Sequence, residues 1–266
     1  PSAAFTSDSD TVFLIQSKAS NLLGADTSGE GNHNITSGLN LLDHCTDTCT
    51  NNFCTINPLD NEFAVAVIAE GSTRVTTDAS AEAMSTGTFA LSAGRWYFEV
   101  DIIARGSTAQ VGITPHPSQV LSGISGKAGD VTPHARAYKN TGKVQTGDGS
   151  GGQTDLATLS SFTTGDIIGV YVDLEDMEFY VSKNGTLQNS GTGLTITAVD
   201  ANSHDHTSTG HYLAYVGDNT SGTAAEMEVN FGNPHQAQSS SVSDDNGYGA
   251  FEYSPNITGD GVAKKF

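Results

Sequence analysis

The stretch Trp96-Tyr97-Phe98-Glu99-Val100-Asp101 holds the carboxylates best spaced for chemistry. Retaining glycoside hydrolysis uses two carboxyl groups about 5 Å apart, one as nucleophile and one as acid. An E-x-D-x-x-E strand supplies both, with the acid at its last position. Glu99 and Asp101 fill the first two places, but the last falls on Ala104, which has no proton to give. Read without chemistry, the same residues are two acids pointing outward from a half-buried strand. That reading is favoured, and no catalytic residue is expected.

Three further clusters have residue types that could carry chemistry. Cys45, Cys49 and Cys54 have a zinc-like spacing, but a fourth ligand would have to be His44 or something remote. One disulfide with a thiol left over is an alternative, and small side chains in a loop are the favoured reading. His204-Asp205-His206 with His211 is the best metal-like group, yet it lacks a clear third ligand and supporting partners. The acidic run Asp173-Leu174-Glu175-Asp176-Met177-Glu178 lacks the D-x-D-x-D-G spacing of a calcium loop and reads as a solvated hairpin turn. No G-x-S-x-G turn presents a nucleophilic serine. The expectation is therefore no cofactor and no metal. Sequons at Asn34, Asn184, Asn219 and Asn256 are taken as chance matches.

The elements that must position such residues are short strands. Only 15% of the 266 residues are charged. Gly, Ser, Thr, Asn and Asp supply turn chemistry throughout, and no stretch carries the 3.6-residue period of an amphipathic helix. Phe63–Ile68, Ser72–Thr77, Gly94–Ile102, Gln110–Thr114, Asp166–Leu174, Glu178–Ser182, Tyr212–Gly217 and Glu226–Gly232 read as strands. Lys183-Asn184-Gly185-Thr186 is a hairpin turn. Alternation places Trp96, Phe98, Val100 and Ile102 on one face. Trp96, Phe98, Val100, Ile168, Val170, Phe179 and Phe231 are the expected core anchors. Residues 115–160 read as loop-rich, most of all between Gly142 and Gly152. Residues 233–250, rich in Ser, Gln, Asp and Gly, read as a linker or arm.

Charge narrows the partners. With 30 acidic and 11 basic residues the formal net charge is −19. Nucleic-acid binding rests on clustered Lys and Arg, so no nucleic-acid partner is expected, and docking on anionic membranes is disfavoured for the same reason. No run of about 18 apolar residues is present, so no membrane insertion by a helix is expected. The opening Pro1-Ser2-Ala3 suggests a processed product or an excerpt of something longer.

Four of these segments carry a family likeness. Gly94-Arg95-Trp96-Tyr97-Phe98-Glu99-Val100 resembles the "GxWYFEV" strand of SPRY domains, and Ala109-Gln110-Val111-Gly112-Ile113 resembles their next strand. Gly165 to Leu174 is similar to the "GDVIGCxLDL" segment, and Phe179 to Gly185 matches the "xxFSxNG" hairpin. The likeness spans about residues 60–232. Leu23 to Asn32 and Thr48 to Leu59 resemble the lead-in of SPRY-containing phage virion and tail-fibre-type proteins, the first piece looking like the opening of a concanavalin-like lectin domain. The resemblance implies an all-β fold: an antiparallel, two-sheet, jelly-roll-like β-sandwich with loop-rich N- and C-terminal extensions.

The expected organisation is an extension over 1–59 packing on the sandwich, the sandwich over 60–232, and an arm or linker over 233–266. The expected function is a non-catalytic virion surface protein, a tail-fibre, receptor-binding or head-decoration component located on the phage particle. Its expected partners are other virion subunits, in a homo-oligomer for which the family suggests a trimer, and a host surface receptor or glycan. Segments 1–20 and 233–266 are the expected subunit contacts. Tyr138, Lys139, Asn140, His204, His206 and Tyr248 are the expected loop residues for binding. The alternative is a carbohydrate-active or carbohydrate-binding module for host polysaccharide, using exposed aromatics such as Tyr138 and Tyr248.

Overall fold

Alternating apolar and small polar residues, punctuated by glycine, leave the chain little choice but strands. The computed structural model describes residues 8–15, 24–38, 52–60, 66–115, 134–147, 153–196, 211–218, 222–235, 238–259 and 262–266. The chain forms two compact units, Pro1–Asn52 and Phe53–Phe266. In the first, Ile15 and Asp26 form an isolated bridge. The Asp26 carboxylate organises the turn that follows, accepting from the Leu14, Ser28 and Asn32 amides and the Ser28 hydroxyl at 2.7–2.9 Å. Burial pushes that carboxyl up, but these donors outweigh it and hold it well below the usual range.

The second unit is all-β among its described residues, apart from one 3-10 turn at Asn189–Gly191. Its strands are β1 (Val67–Ala69), β2 (Arg74–Thr76), β3 (Ala83–Thr86), β4 (Arg95–Ala104), β5 (Ala109–Thr114), β6 (Arg136–Lys139), β7 (Lys143–Gly147) and β8 (Gln153–Thr158). They continue as β9 (Ile167–Asp173), β10 (Glu178–Lys183), β11 (Thr186–Leu187), β12 (Leu194–Thr195), β13 (Leu213–Asp218), β14 (Glu226–Asn230), β15 (Ile257–Gly259) and β16 (Val262–Lys264). The first sheet runs β1-β2-β14-β4-β9-β10-β11, with β12 also on β10; the second runs β3-β13-β5-β6-β7-β8. Strands β15 and β16 form a separate antiparallel pair. Every strand pairing among the described residues is antiparallel, and the two large sheets form the expected sandwich.

Side chains pointing inward from both sheets make one core. Phe98, Val100, Ile102, Ile168, Val170, Val172, Phe179 and Val181 come from the first sheet, and Val111, Ile113, Tyr138, Val144, Ala214 and Val216 from the second. Five expected anchors, Phe98, Val100, Ile168, Val170 and Phe179, are buried there, and Phe231 packs against the cluster half-buried. Trp96 is the exception: its side chain is 40% exposed and its indole N–H donates to the Ala93 carbonyl at 2.7 Å. It stands second in β4, beside the turn that opens the strand, and has no place in the core. Alternation fixed its face but not whether the other sheet reaches that far.

Two other expectations need correction. Residues 136–147 and 153–158 are not loop-rich: β6, β7 and β8 are consecutive strands of the second sheet. Gly142, with φ 90°, makes the tight turn between β6 and β7, and its amide donates to the Lys139 carbonyl at 2.9 Å. Residues 116–133 and 148–152 lie outside the described residues. Nor is the C-terminal stretch a linker, because it belongs to the same compact unit as the sandwich. The division between units falls after Asn52, not after residue 59. The Asn-Gly hairpin forms as read, with Asn184 at φ 49°, Gly185 at φ 76°, and Lys183 opposite Thr186.

Candidate functional site

The most organised polar chemistry lies on the outer face of the first sheet. The period of two that buries Phe98 and Val100 turns Tyr97 and Glu99 the other way. On the neighbouring strands Tyr171 and Tyr180 stand on the same outer side, each 3% exposed. These residues ought to meet water. They are covered by the chain's own C-terminal segment, residues 238–259 and 262–266: Tyr171, Tyr180, Ile257 and Phe266 form a second apolar cluster with Tyr97 and Leu187 against it. Tyr97 lies with ring centroids 4.5 Å from Tyr171 and 4.9 Å from Phe251, and Tyr171 lies 5.2 Å from Phe266. Gly169, opposite Glu99, leaves the room: a Cβ there would run into Tyr97 and Ser182.

Glu99 is the first hub of this seat. Its residue is 2% exposed, and its carboxylate accepts four hydrogen bonds. Two come from the sandwich, the Tyr97 hydroxyl at 2.7 Å and Asn230 Nδ2 at 3.2 Å. Two come from successive amides of the C-terminal segment, Glu252 and Tyr253, both at 2.8 Å. Burial pushes the Glu99 carboxyl up, and the amide and hydroxyl donors only partly offset it. Tyr97 is pushed well up for the same first reason, burial, with the neighbouring Tyr171 and Glu99 adding to it. Asn230 also donates to the Ala250 carbonyl at 2.8 Å, and the Tyr171 hydroxyl donates to the Ser254 carbonyl at 3.0 Å.

Asp173, at the end of β9, is the second hub. Its side chain has no exposure. Oδ1 accepts from the Glu175 and Asp176 amides at 2.9 Å, which closes the turn into β10. Oδ2 meets Arg95 Nε and Lys264 Nζ, both at 2.9 Å. Lys264 also reaches Asp176 at 3.1 Å and Glu178, and lies 5.1 Å from the Tyr180 ring centre. Burial pushes the Asp173 carboxyl up, but Lys264, the Asp176 amide and Arg95 outweigh it and bring it to about 2. Lys264 is raised: burial opposes its charge, and Glu178 and Asp173 more than restore it. The acidic turn is thus matched by two cations, one of them from the C-terminal segment.

The binding residues expected from sequence are scattered. Tyr138, Lys139 and Asn140 are not on a loop surface; they are 0%, 8% and 2% exposed at the end of β6. Tyr138 packs 5.1 Å from Phe162 in the core and donates to the Ser160 carbonyl. Lys139 donates to Gln153 Oε1 at 2.9 Å, and Asn140 to the Ser107 carbonyl at 3.0 Å. The strand hidden in that stretch explains the correction. His204 and His206 lie outside the described residues. Tyr248 is 57% exposed, on a turn whose Asn246 and Tyr248 amides donate to Asp244 Oδ1.

The outward-acid reading fails for Glu99, which is a buried acceptor. Asp101 is half-buried opposite Glu228 across β4 and β14, raised first by burial and then by that neighbour's charge. Cys54 is a buried free thiol, while Cys45 and Cys49 lie outside the described residues. No group of three or more His, Cys, Asp or Glu side chains among the described residues could hold a metal ion. Lys264 and Tyr171 were missed as site residues, and Asp173, read as part of a solvated acidic turn, is buried instead. The nearest signal was two lysines closing a strongly acidic chain.

No family model matches the sequence, and no curated protein matches it. Among solved structures, the SPRY domain of human HERC1 matches at 15% identity, over 69% of this chain and 99% of that one, with a TM-score of 0.49. The sandwich described above rests on its own strand order and register.

Proposed function

We propose that this chain is a non-catalytic recognition and packing module of SPRY type, carried on the surface of a bacteriophage particle as a tail-fibre, receptor-binding or head-decoration component. One observation carries the non-catalytic part: the carboxylate best placed for acid or nucleophile work, Glu99, is spent on four structural hydrogen bonds beneath the C-terminal segment. Ala104 stands where the acid of a retaining pair would be needed. The particle context is supported by the lead-in resemblance and by a net charge of −19 that suits a crowded soluble surface. Electron microscopy of particles labelled with an antibody to this chain tests it. Label at fibre tips supports receptor recognition, label over the shell supports decoration, and unlabelled particles refute the assignment.

A second reading, glycan binding, is favoured by two exposed aromatics, Trp96 at 40% and Tyr248 at 57%. Aromatic faces stack on sugar rings and need little other machinery. A host-glycan array probed with wild type and Trp96→Ala decides it. Binding that the substitution removes supports the reading, and a blank array with wild type rejects it.

A further inference from the structure

We propose that the outer face of the first sheet is a peptide seat, and that the C-terminal segment of a second copy of this chain fills it in exchange for the chain's own. This goes beyond the particle-surface reading and does not depend on it.

The C-terminal segment lies on the sandwich rather than within its sheets. Among its described residues it adds no strand to either large sheet, and its β15–β16 pair is a sheet of its own. Its other backbone pairings include a Val242–Phe251 bridge within the segment. It leaves β14 at Gly232, φ 105°, through Asn233, Pro234 and His235, none of which is in a strand. What ties it to the sandwich is a short set of specific contacts. The Glu252 and Tyr253 amides sit on Glu99, the Ser254 carbonyl takes the Tyr171 hydroxyl, Lys264 sits among Asp173, Asp176 and Glu178, and Phe266 packs on Tyr171. That is how a bound peptide is held, by backbone groups on fixed side chains with one charged anchor, Lys264, and three apolar ones, Phe251, Ile257 and Phe266. Each contact is equally satisfied whether the segment comes from the same chain or another, which is the condition for exchange between identical subunits.

Charge names the occupant. The seat ends in the acidic turn 173–178, and the chain as a whole carries −19, so two copies repel over most of their surfaces. Lys264 and Lys265, two of only 11 basic residues, lie within the last three positions of the chain. The segment therefore delivers a complementary cation to a site that no other acidic part of a second copy would suit.

The test uses full-length chains. Gly185 and Tyr253 are neighbours across the seat: a Cβ at Gly185 would lie 2.5 Å from Tyr253 Cδ1. A chain carrying both Gly185→Cys and Tyr253→Cys should close an internal disulfide on oxidation, which establishes reach despite the strained backbone at 185. A mixture of chains carrying one substitution each can join 185 to 253 only between copies, and peptide mapping separates that bond from any made by the native cysteines. We expect the 185–253 dimer in the mixture, and about tenfold less of it when both partners also carry Lys264→Glu. Closure in the double variant with no 185–253 dimer in the mixture would overturn the proposal. So would light scattering of unmodified protein that gives a monomer mass at every concentration. A dimer whose 185–253 link forms only within chains would also overturn it, while leaving the particle-surface reading intact.

Discussion

Replacing Glu99 with alanine should unlatch the C-terminal segment while the sandwich survives. The substitution strands four donors: the Tyr97 hydroxyl, Asn230 Nδ2, and the Glu252 and Tyr253 amides. A hydrogen bond to a charged acceptor contributes about 1.5–3 kcal/mol net. Against their sum stands the cost of keeping a carboxylate out of water, several kcal/mol, which the substitution relieves. That cost is real here, because burial has raised the Glu99 carboxyl. The difference leaves a net loss of about 3–5 kcal/mol. Two of the four donors regain water if the segment lifts, so the loss is felt first as local opening. Amide hydrogen exchange should show Glu252 and Tyr253 losing protection by about two orders of magnitude, while β4, β9 and β14 change little. Glu99→Gln keeps one acceptor oxygen and removes the buried charge, so it should open the segment by a smaller factor. If the amides at 252 and 253 exchange no faster in Glu99→Ala, the carboxylate is not what holds the segment, and the account of the seat is wrong.

Other perturbations separate the remaining claims. Trp96→Ala should cost about 1 kcal/mol or less, as for an exposed site, whereas Phe98→Ala should cost about 3–5 kcal/mol; denaturant midpoints of the two variants measure the difference. Gly112→Ala should destabilise severely, because a Cβ there would strike the Arg136 carbonyl carbon and oxygen across β5 and β6; soluble yield and thermal midpoint report it. Acid should weaken the Lys264 anchor. Asp173 sits at about 2 against an ordinary 3.8, so it adds stability that is full above pH about 4 and is lost as the pH falls through about 2. The loss is about 2 kcal/mol, readable as faster exchange at Phe266 across that window. Glu99 works in the opposite sense: its carboxyl is raised, so its contribution declines as the pH climbs above 4.5.

Strands that carry their own apolar face were legible in the sequence. The alternation in β4 and the near-continuous apolar run of β9 announce burial whatever lies opposite, and Asn184-Gly185 marks the hairpin by its need for positive φ. Strands β6 to β8 were not legible, because Gly142 and a thread of Thr, Gln and Gly mask a register that the neighbouring β5 imposes. The C-terminal segment was hidden for a different reason. Ser239, Asp244 and Gly247 suggest a linker, and nothing local reveals that its backbone finds partners on Glu99 and Tyr171 more than 80 residues earlier in the chain. Trp96 shows the converse limit, a correct face assigned to a position beyond the core. The site was read least well because half the partners of its acidic hubs are backbone amides, and these leave no trace in residue type.

The cover over Tyr97, Tyr171 and Tyr180 also changes how substitutions should be distributed along the chain. In a plain two-sheet sandwich, outward positions of a central strand tolerate replacement and inward ones do not. Here β9 and the middle of β4, Phe98 to Val100, are enclosed on both sides, so consecutive residues there should be similarly intolerant and the usual every-other-residue pattern of permissiveness should vanish. Freedom to vary passes to the outer surface of the segment itself, around the exposed 245–248 turn. That turn is where an insertion or an affinity tag can be placed without disturbing either sheet.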